Sequence, residues 1–115
     1  MPIDYGPQQL PLWKPESRWT PPQGFPNLSG AKLTKSNLSK ANLKATKLIR
    51  ADLEFVDFSE ADLSQANLSG AKLADANFSK AILTEANLTE ANLSGSDLYG
   101  ANLTQANLSE AYLTW

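Results

Sequence analysis

A hydrophobic residue occupies every fifth position of this chain from residue 28 to residue 113. It is leucine in 16 of the 18 successive units and phenylalanine in the other two, at Phe58 and Phe78. The position two residues earlier is alanine in 13 units, Asn or Asp stands between the two in 13, and Ser or Thr follows in 13. Residues 26–115 therefore consist of one short unit, Ala-(Asn/Asp)-Leu-(Ser/Thr)-x, repeated without interruption.

This period excludes one kind of backbone and favours another. An α-helix turns about 100° per residue, so residues five apart are scattered around its whole circumference. In an extended segment, the Ala and Leu of one unit point inward together and the Asn or Asp between them points outward. Because five is odd, only a bend in each unit keeps all the leucines on one side. The Ser/Thr position and the next supply that bend, and glycine at 30, 70, 95 and 100 falls there. The pattern predicts an all-β chain that coils around its own leucines.

The repeated unit resembles the A(D/N)LXX motif of the pentapeptide repeat proteins, a family abundant in cyanobacteria, over residues 26–115. The resemblance implies a right-handed quadrilateral β-helix, a solenoid with four units per coil. At twenty residues per coil, these residues would form about 4.5 coils. Residues twenty apart should then stack, Phe58 on Phe78, and Lys32, Asp52 and Lys72 in a column of alternating charge. The core residues that we single out are Leu28, Leu48, Phe58, Leu68, Phe78, Leu83, Leu88 and Leu108.

The seven prolines all lie between residues 2 and 26, so the composition divides the chain in two. Residues 1–25 are expected to form an extended, proline-rich arm, because each proline fixes its own φ and disfavours helix in the residue before it. Trp13 and Trp19 give this arm more apolar surface than a solvated linker carries. The arm could cap the first coil over Leu28 and Leu33, dock on another protein, or be disordered.

The residue types present argue against catalysis. The chain has no Cys and no His, which removes thiol and imidazole chemistry and the usual ligands of zinc and haem. Asp52, Asp57 and Asp62 would point outward from three different walls, so they could not grip one metal ion or flank one bond. A core filled with leucine leaves no concave pocket. We expect no enzyme activity, no cofactor and no metal.

Charge and hydropathy narrow the choice of partner. The net charge is -2, so the molecule as a whole does not attract the negatively charged backbone of nucleic acid. Nucleic acid is therefore not favoured as a partner. Residues 26–50 contain six Lys or Arg and no acid, whereas residues 51–115 contain ten acids and two lysines. This basic collar could be simply solvated or could bind phosphate or an acidic partner. No signal-like start and no apolar stretch of membrane-spanning length is present, so we expect a soluble, cytoplasmic protein without a membrane association.

A few large side chains interrupt the polar outer positions. The candidate interaction residues are Trp13, Trp19, Phe55, Tyr99, Tyr112 and Trp115. Phe55 stands at a position that is otherwise polar or small, although neighbouring side chains or the arm could cover it. We also expect an end-to-end homo-oligomer through Leu108, Tyr112, Leu113 and Trp115 of the C-terminal coil, unless Tyr112 and Trp115 merely cover the last core leucine.

The sequence thus predicts a non-catalytic structural or scaffold module that binds an unidentified protein through a rigid surface. The family resemblance implies one alternative, a nucleic-acid mimic that binds a DNA-handling enzyme such as gyrase. The family members with that activity look longer than this chain, and their surface is more uniformly acidic. This chain departs from them in its basic first coil and its short repeat region.

Overall fold

The structure is a computed structural model and describes residues 27–115. In this range the chain forms neither a helix nor a strand longer than one residue. Fourteen isolated parallel bridges connect it instead, each between residues twenty apart, from Asn27–Lys47 to Asn92–Tyr112. One circuit therefore takes four five-residue units, and we number the coils 1 (27–46), 2 (47–66), 3 (67–86) and 4 (87–106), followed by residues 107–115. The arm, with Trp13 and Trp19, and the boundary at residue 25 lie outside the described residues.

Each circuit has four sides, which we number in chain order from the side that contains Asn27. Backbone hydrogen bonds join each side to the same side of the next coil. On side 1, the Leu48 amide donates to the Asn67 carbonyl at 2.7 Å and the Arg50 amide donates to the Ser69 carbonyl at 2.9 Å. In return, the Asn67 amide donates at 3.0 Å to the carbonyl of Thr46, the residue just before Lys47 one circuit earlier. Three of the five amides in a unit are therefore satisfied by neighbouring coils, as in a parallel β-sheet.

A tight turn separates consecutive sides. The Ala51 amide donates to the Leu48 carbonyl at 3.1 Å, and the intervening Arg50 has a φ of 55°. A positive φ at the third residue is the mark of a type II turn. The same sign occurs at four glycines and at thirteen non-glycine residues, always the last residue of a unit. These turns are the bends that the odd period requires, and we call their third residues the corners.

The inside of the coils is apolar. Leu28, Leu48, Phe58, Leu68, Phe78, Leu83 and Leu88 are fully buried, whereas Leu108 is half-buried. The rings of Phe58 and Phe78 stack with their centroids 5.1 Å apart and an angle of 14° between their planes. The described residues contain no helix long and apolar enough to cross a bilayer.

Candidate interaction surface

The outward Asn and Asp side chains complete the backbone hydrogen bonding of each unit. In twelve units the Asn or Asp side-chain oxygen accepts the amide N–H of the residue two positions later, at 2.9–3.3 Å. Where Lys47 replaces the Asn, the Ser29 hydroxyl of the preceding coil accepts the Ile49 amide instead, at 3.1 Å. Most of the outer polar residues therefore serve the fold, which leaves the large and charged side chains as candidates for recognition.

The three aspartates of coil 2 do not converge. Asp52 accepts a hydrogen bond from the Thr34 hydroxyl at 3.0 Å, Asp57 accepts the Ser59 amide at 2.9 Å, and Asp62 accepts the Ser64 amide at 3.0 Å. They lie on sides 2, 3 and 4. Within residues 27–115, no three potential ligand side chains come together in a way that could hold a metal ion.

Charge is distributed unevenly along the axis. Coil 1 carries four lysines and no acid, so its formal charge is +4. Coil 2 carries five acids with Lys47 and Arg50, so its formal charge is -3. The lysines of coil 1 are Lys32, Lys35, Lys40 and Lys44, and they lie on three different sides. Lys32, Asp52 and Lys72 are joined in one column by two bridges.

Four exposed aromatic side chains lie on two adjacent sides of the solenoid. Phe55 is 54% exposed and is the corner between sides 2 and 3, and Trp115, the last residue of the final unit on side 2, is 74% exposed. Tyr112 lies on side 2 and is 64% exposed, and Tyr99 lies on side 3 and is 76% exposed. The fold thus places four of the sequence-derived candidates on two adjacent sides. Ile82, which is 41% exposed, lies on side 4 and does not join them.

Backbone hydrogen bonds fix the order of residues along this corner. The Phe55 amide donates to the Ala74 carbonyl at 3.1 Å, the Asp75 amide to the Ser94 carbonyl at 2.8 Å, and the Gly95 amide to the Thr114 carbonyl at 2.9 Å. Phe55, Asp75, Gly95 and Trp115 therefore follow one another coil by coil, and we call this column the corner stripe. A Cβ atom added to Gly95 would collide with the Asp75 carboxylate. That carboxylate lies over Gly95, in the interval between the two aromatic side chains.

Trp115 also contacts the backbone of the preceding coil. Its indole N–H donates to the Ser96 carbonyl at 2.9 Å. One coil earlier, the equivalent Ala76 carbonyl accepts the Asp97 amide at 2.9 Å. The indole thus takes the place of a backbone amide, a role that sequence reasoning missed and that no local pattern announces. Leu113 beside it remains 43% exposed.

Comparison with known proteins agrees with this geometry. The family model described as Pentapeptide repeats (8 copies) matches residues 27–65, 61–98 and 86–115, which together cover the whole described part of the chain. A search among curated proteins finds no match.

Several solved structures are similar. A pentapeptide repeat protein (Rfr23) from the cyanobacterium Cyanothece is 38% identical, with a TM-score of 0.76 over 80% of this chain and 63% of its own. HetL, a pentapeptide repeat protein involved in heterocyst differentiation regulation in the cyanobacterium Nostoc, is 40% identical, with a TM-score of 0.71 over 74% of this chain and 39% of its own. A thylakoid-lumen protein from Arabidopsis thaliana is 34% identical, with a TM-score of 0.72 over 74% of this chain and 59% of its own. This chain therefore spans less than two thirds of the length of all three.

Proposed function

Because this chain belongs to the pentapeptide repeat proteins, a family of right-handed β-helices found in cyanobacteria and plants, we propose that it is a non-catalytic protein-interaction module of the cytoplasm. Its rigid outer sides bind a partner protein. Members of this family are generally not enzymes, and their common feature is the β-helical surface itself.

The exposed aromatic side chains carry this proposal. Tyr99 and Tyr112 occupy outer positions that Ser, Thr, Asn or Asp fill in most other units, and Phe55 and Trp115 occupy one that charged residues, Gln and Gly fill in most. Aromatic side chains contribute large contact areas and are enriched in protein interfaces. The inter-coil hydrogen bonds hold the backbone beneath them rigid, so little order has to be gained on binding.

Affinity capture from a native lysate tests the proposal. The full chain is immobilised beside the Leu83→Lys variant, which places a charge in the buried core and serves as an unfolded control. A protein retained by the native chain and absent from the control is the expected result. Equal retention on both would contradict a function that depends on the folded surface.

The nucleic-acid-mimic alternative predicts inhibition of a DNA-handling enzyme. The +4 charge of coil 1 disfavours it, because a mimic of DNA has to present a continuous negative surface. A gyrase supercoiling assay with micromolar protein separates the two functions. We expect no inhibition; inhibition would favour the mimic over the interaction module.

The division of the chain belongs to the same proposal. Residues 26–115 form a solenoid of about 4.5 coils, and residues 1–25 form an arm whose Trp13 and Trp19 cap its N-terminal end. A solenoid end needs such a cap because its last unpaired coil is partly apolar. The double variant Trp13→Ala/Trp19→Ala should therefore unfold at lower urea concentration than the unchanged chain. Unchanged stability would contradict the cap, and loss of the captured partner would assign the arm to docking.

We also propose that copies of this chain associate end to end through Leu108, Tyr112, Leu113 and Trp115. The half-buried Leu108 and the exposed Leu113 support this, because self-association would remove their apolar surface from water. Sedimentation velocity over a range of concentrations should show association that Leu113→Lys abolishes. A monomer at every concentration would rule the association out.

A further inference from the structure

Phe55 occupies a backbone position that disfavours its side chain. Its φ is 59°, in the left-handed region where a bulky residue is strained. Glycine fills the equivalent corner at residues 30, 70, 95 and 100, so the fold accepts a residue with no side chain there. Among the thirteen non-glycine residues with positive φ in residues 27–115, Phe55 is the one aromatic. The turn does not need this ring, and 54% of Phe55 is exposed, so part of the ring is accessible to a partner.

The corner stripe places a carboxylate between two aromatic side chains. Neighbouring coils are about 4.8 Å apart, so Phe55 and Trp115, three coils apart, are separated by about 14 Å along the axis. Asp75 begins one coil after Phe55, and its carboxylate extends over Gly95 toward Trp115. Along the corner stripe, the side chains are therefore aromatic at Phe55, acidic at Asp75, absent at Gly95 and aromatic at Trp115. The backbone fixes the distance between each residue and the next.

Acidic residues beside the corner stripe add to the negative charge of Asp75. Glu54 precedes Phe55, Asp57 lies two residues after it, and Asp97 lies two residues after Gly95. Lys35 is the basic residue of the same corner and lies one coil before Phe55, at the outer end of the column. A cation bound near Asp75 would lie near Glu54, Asp57 and Asp97, would share side 2 with Lys72 of the same coil, and could stack on an aromatic face.

We propose that the corner stripe binds an extended segment of a partner protein in which one arginine lies between two apolar side chains. In an extended chain, residues two apart point to the same side and are about 6.6 Å apart, so residues i, i+2 and i+4 span about 13 Å. This matches the distance from Phe55 to Trp115 and places the central side chain beside the Asp75 carboxylate. The stripe thus selects the pattern apolar-x-Arg-x-apolar. This inference rests on the proposed interaction function and specifies the partner's chemistry.

A peptide-binding assay tests it with the full chain. The probe is a fluorescein-labelled Ser-Leu-Ser-Arg-Ser-Leu-Ser peptide, and the controls replace its Arg by Glu or move the Arg to the N-terminus. Fluorescence anisotropy should show the probe binding about tenfold or more tightly than either control, and more weakly as salt is raised. Equal binding of the three peptides, or no binding of the probe, would overturn the proposal.

Variants of the chain locate the site. Phe55→Asn keeps a residue that tolerates positive φ, and Asp75→Asn keeps the shape of the side chain while removing its charge. Each should weaken probe binding about tenfold or more. The matched controls, Gln65→Asn and Glu85→Gln, change the corner that follows side 4 and should leave binding unchanged. Equal losses in the two sets would overturn the proposal, as would self-association of the chain that Phe55→Asn abolishes, since the stripe would then bind a second copy.

The lysate capture distinguishes this inference from the broader function. If the native chain retains a partner and Phe55→Asn retains it equally well, the interaction function stands and the corner stripe is wrong. If the native chain retains nothing beyond the Leu83→Lys control, the interaction function itself fails. Loss of the partner with Phe55→Asn, and its retention with Gln65→Asn, is the result that we expect.

Discussion

Three buried hydroxyl groups lie at positions that alanine fills in most units. The hydroxyls of Ser36 and Thr46 have no hydrogen-bond partner, whereas the Ser96 hydroxyl donates to the Leu93 carbonyl at 2.8 Å. A buried polar group without a partner loses its hydration and gains nothing in return. The same type of side chain therefore destabilises the fold at two of these positions and is compensated at the third.

Replacement of the unpartnered hydroxyl should stabilise the protein. Thr46→Val removes the hydroxyl and keeps the shape, so we expect the free energy of unfolding to rise by about 1 kcal/mol. Ser96→Ala removes a satisfied hydroxyl and should lower it by up to about 1 kcal/mol. Urea unfolding followed by circular dichroism measures both. A loss of stability in Thr46→Val would show that its hydroxyl has a partner.

The outward Asn side chains give a second prediction about single residues. Asn67→Ala leaves the Ser69 amide without its acceptor, now at 3.1 Å, and should lower the free energy of unfolding by about 1 kcal/mol. Asn67→Asp keeps the accepting oxygen and is the matched control. Equal destabilisation by the two substitutions would mean that the side-chain oxygen is not what matters.

Sequence reasoning reached some of these residue properties and not others. Leucines such as Leu83 could be recognised as core residues from the sequence. Only one kind of backbone, a coil with a bend in each unit, places residues with this period on the same side. The capping role of residues such as Asn67 was missed, although its signal, an Asn or Asp two residues before Ser or Thr, is present in most units. The indole hydrogen bond of Trp115 has no such signal, because it joins residues nineteen apart through a single side chain.

The five-residue unit is an element whose stability depends on its corner. Thirteen corners hold a non-glycine residue with positive φ, which costs about 1 kcal/mol or more relative to glycine. These costs are tolerated because each corner amide in the interior of the solenoid is held by the next coil, as in Arg50–Ser69 at 2.9 Å. A bend at the corners was predictable from the odd period, but the left-handed conformation was not, since lysine, glutamate and arginine do not suggest it.

Two alanines in the same five-residue unit test this account. Ala45 is a corner with a φ of 59°, so Ala45→Gly should raise the free energy of unfolding by about 1 kcal/mol. Ala41 is fully buried, so Ala41→Gly should lower it by about 1 kcal/mol or more through the lost core methyl and the added backbone entropy. Thermal or urea unfolding of the pair gives the answer. Stabilisation by both or by neither would contradict the assigned roles.

The whole molecule is stabilised by contacts between neighbouring coils. Leu83 is fully buried and Thr84, the next residue, is partly exposed. Leu83→Lys should therefore unfold the chain over several coils, whereas Thr84→Lys should change the free energy of unfolding by no more than about 0.5 kcal/mol. Circular dichroism and urea unfolding distinguish these results. Equal tolerance of both substitutions would show that the inward and outward positions are misassigned.

At this scale the sequence allowed the architecture to be predicted more fully than the recognition surface. The twenty-residue register follows once four units are assigned to a coil, and it brings Phe58 onto Phe78 at 5.1 Å. The corner stripe could not be read from spacing alone, because Phe55 and Trp115 are sixty residues apart and only the register makes them neighbours along one column. The position of the Asp75 carboxylate over Gly95 is visible only in the folded structure.

Engineered cysteines test the register most directly, since the chain has no cysteine of its own. Ser69 and Thr89 are twenty apart on side 1, where coils about 4.8 Å apart place their Cα atoms within the range for a disulfide. Ser94 is twenty-five residues from Ser69 and lies on side 2. We predict that Ser69→Cys/Thr89→Cys forms an intramolecular disulfide under mild oxidation, and that Ser69→Cys/Ser94→Cys does not. Formation of the second disulfide without the first would contradict the four-sided, twenty-residue coil.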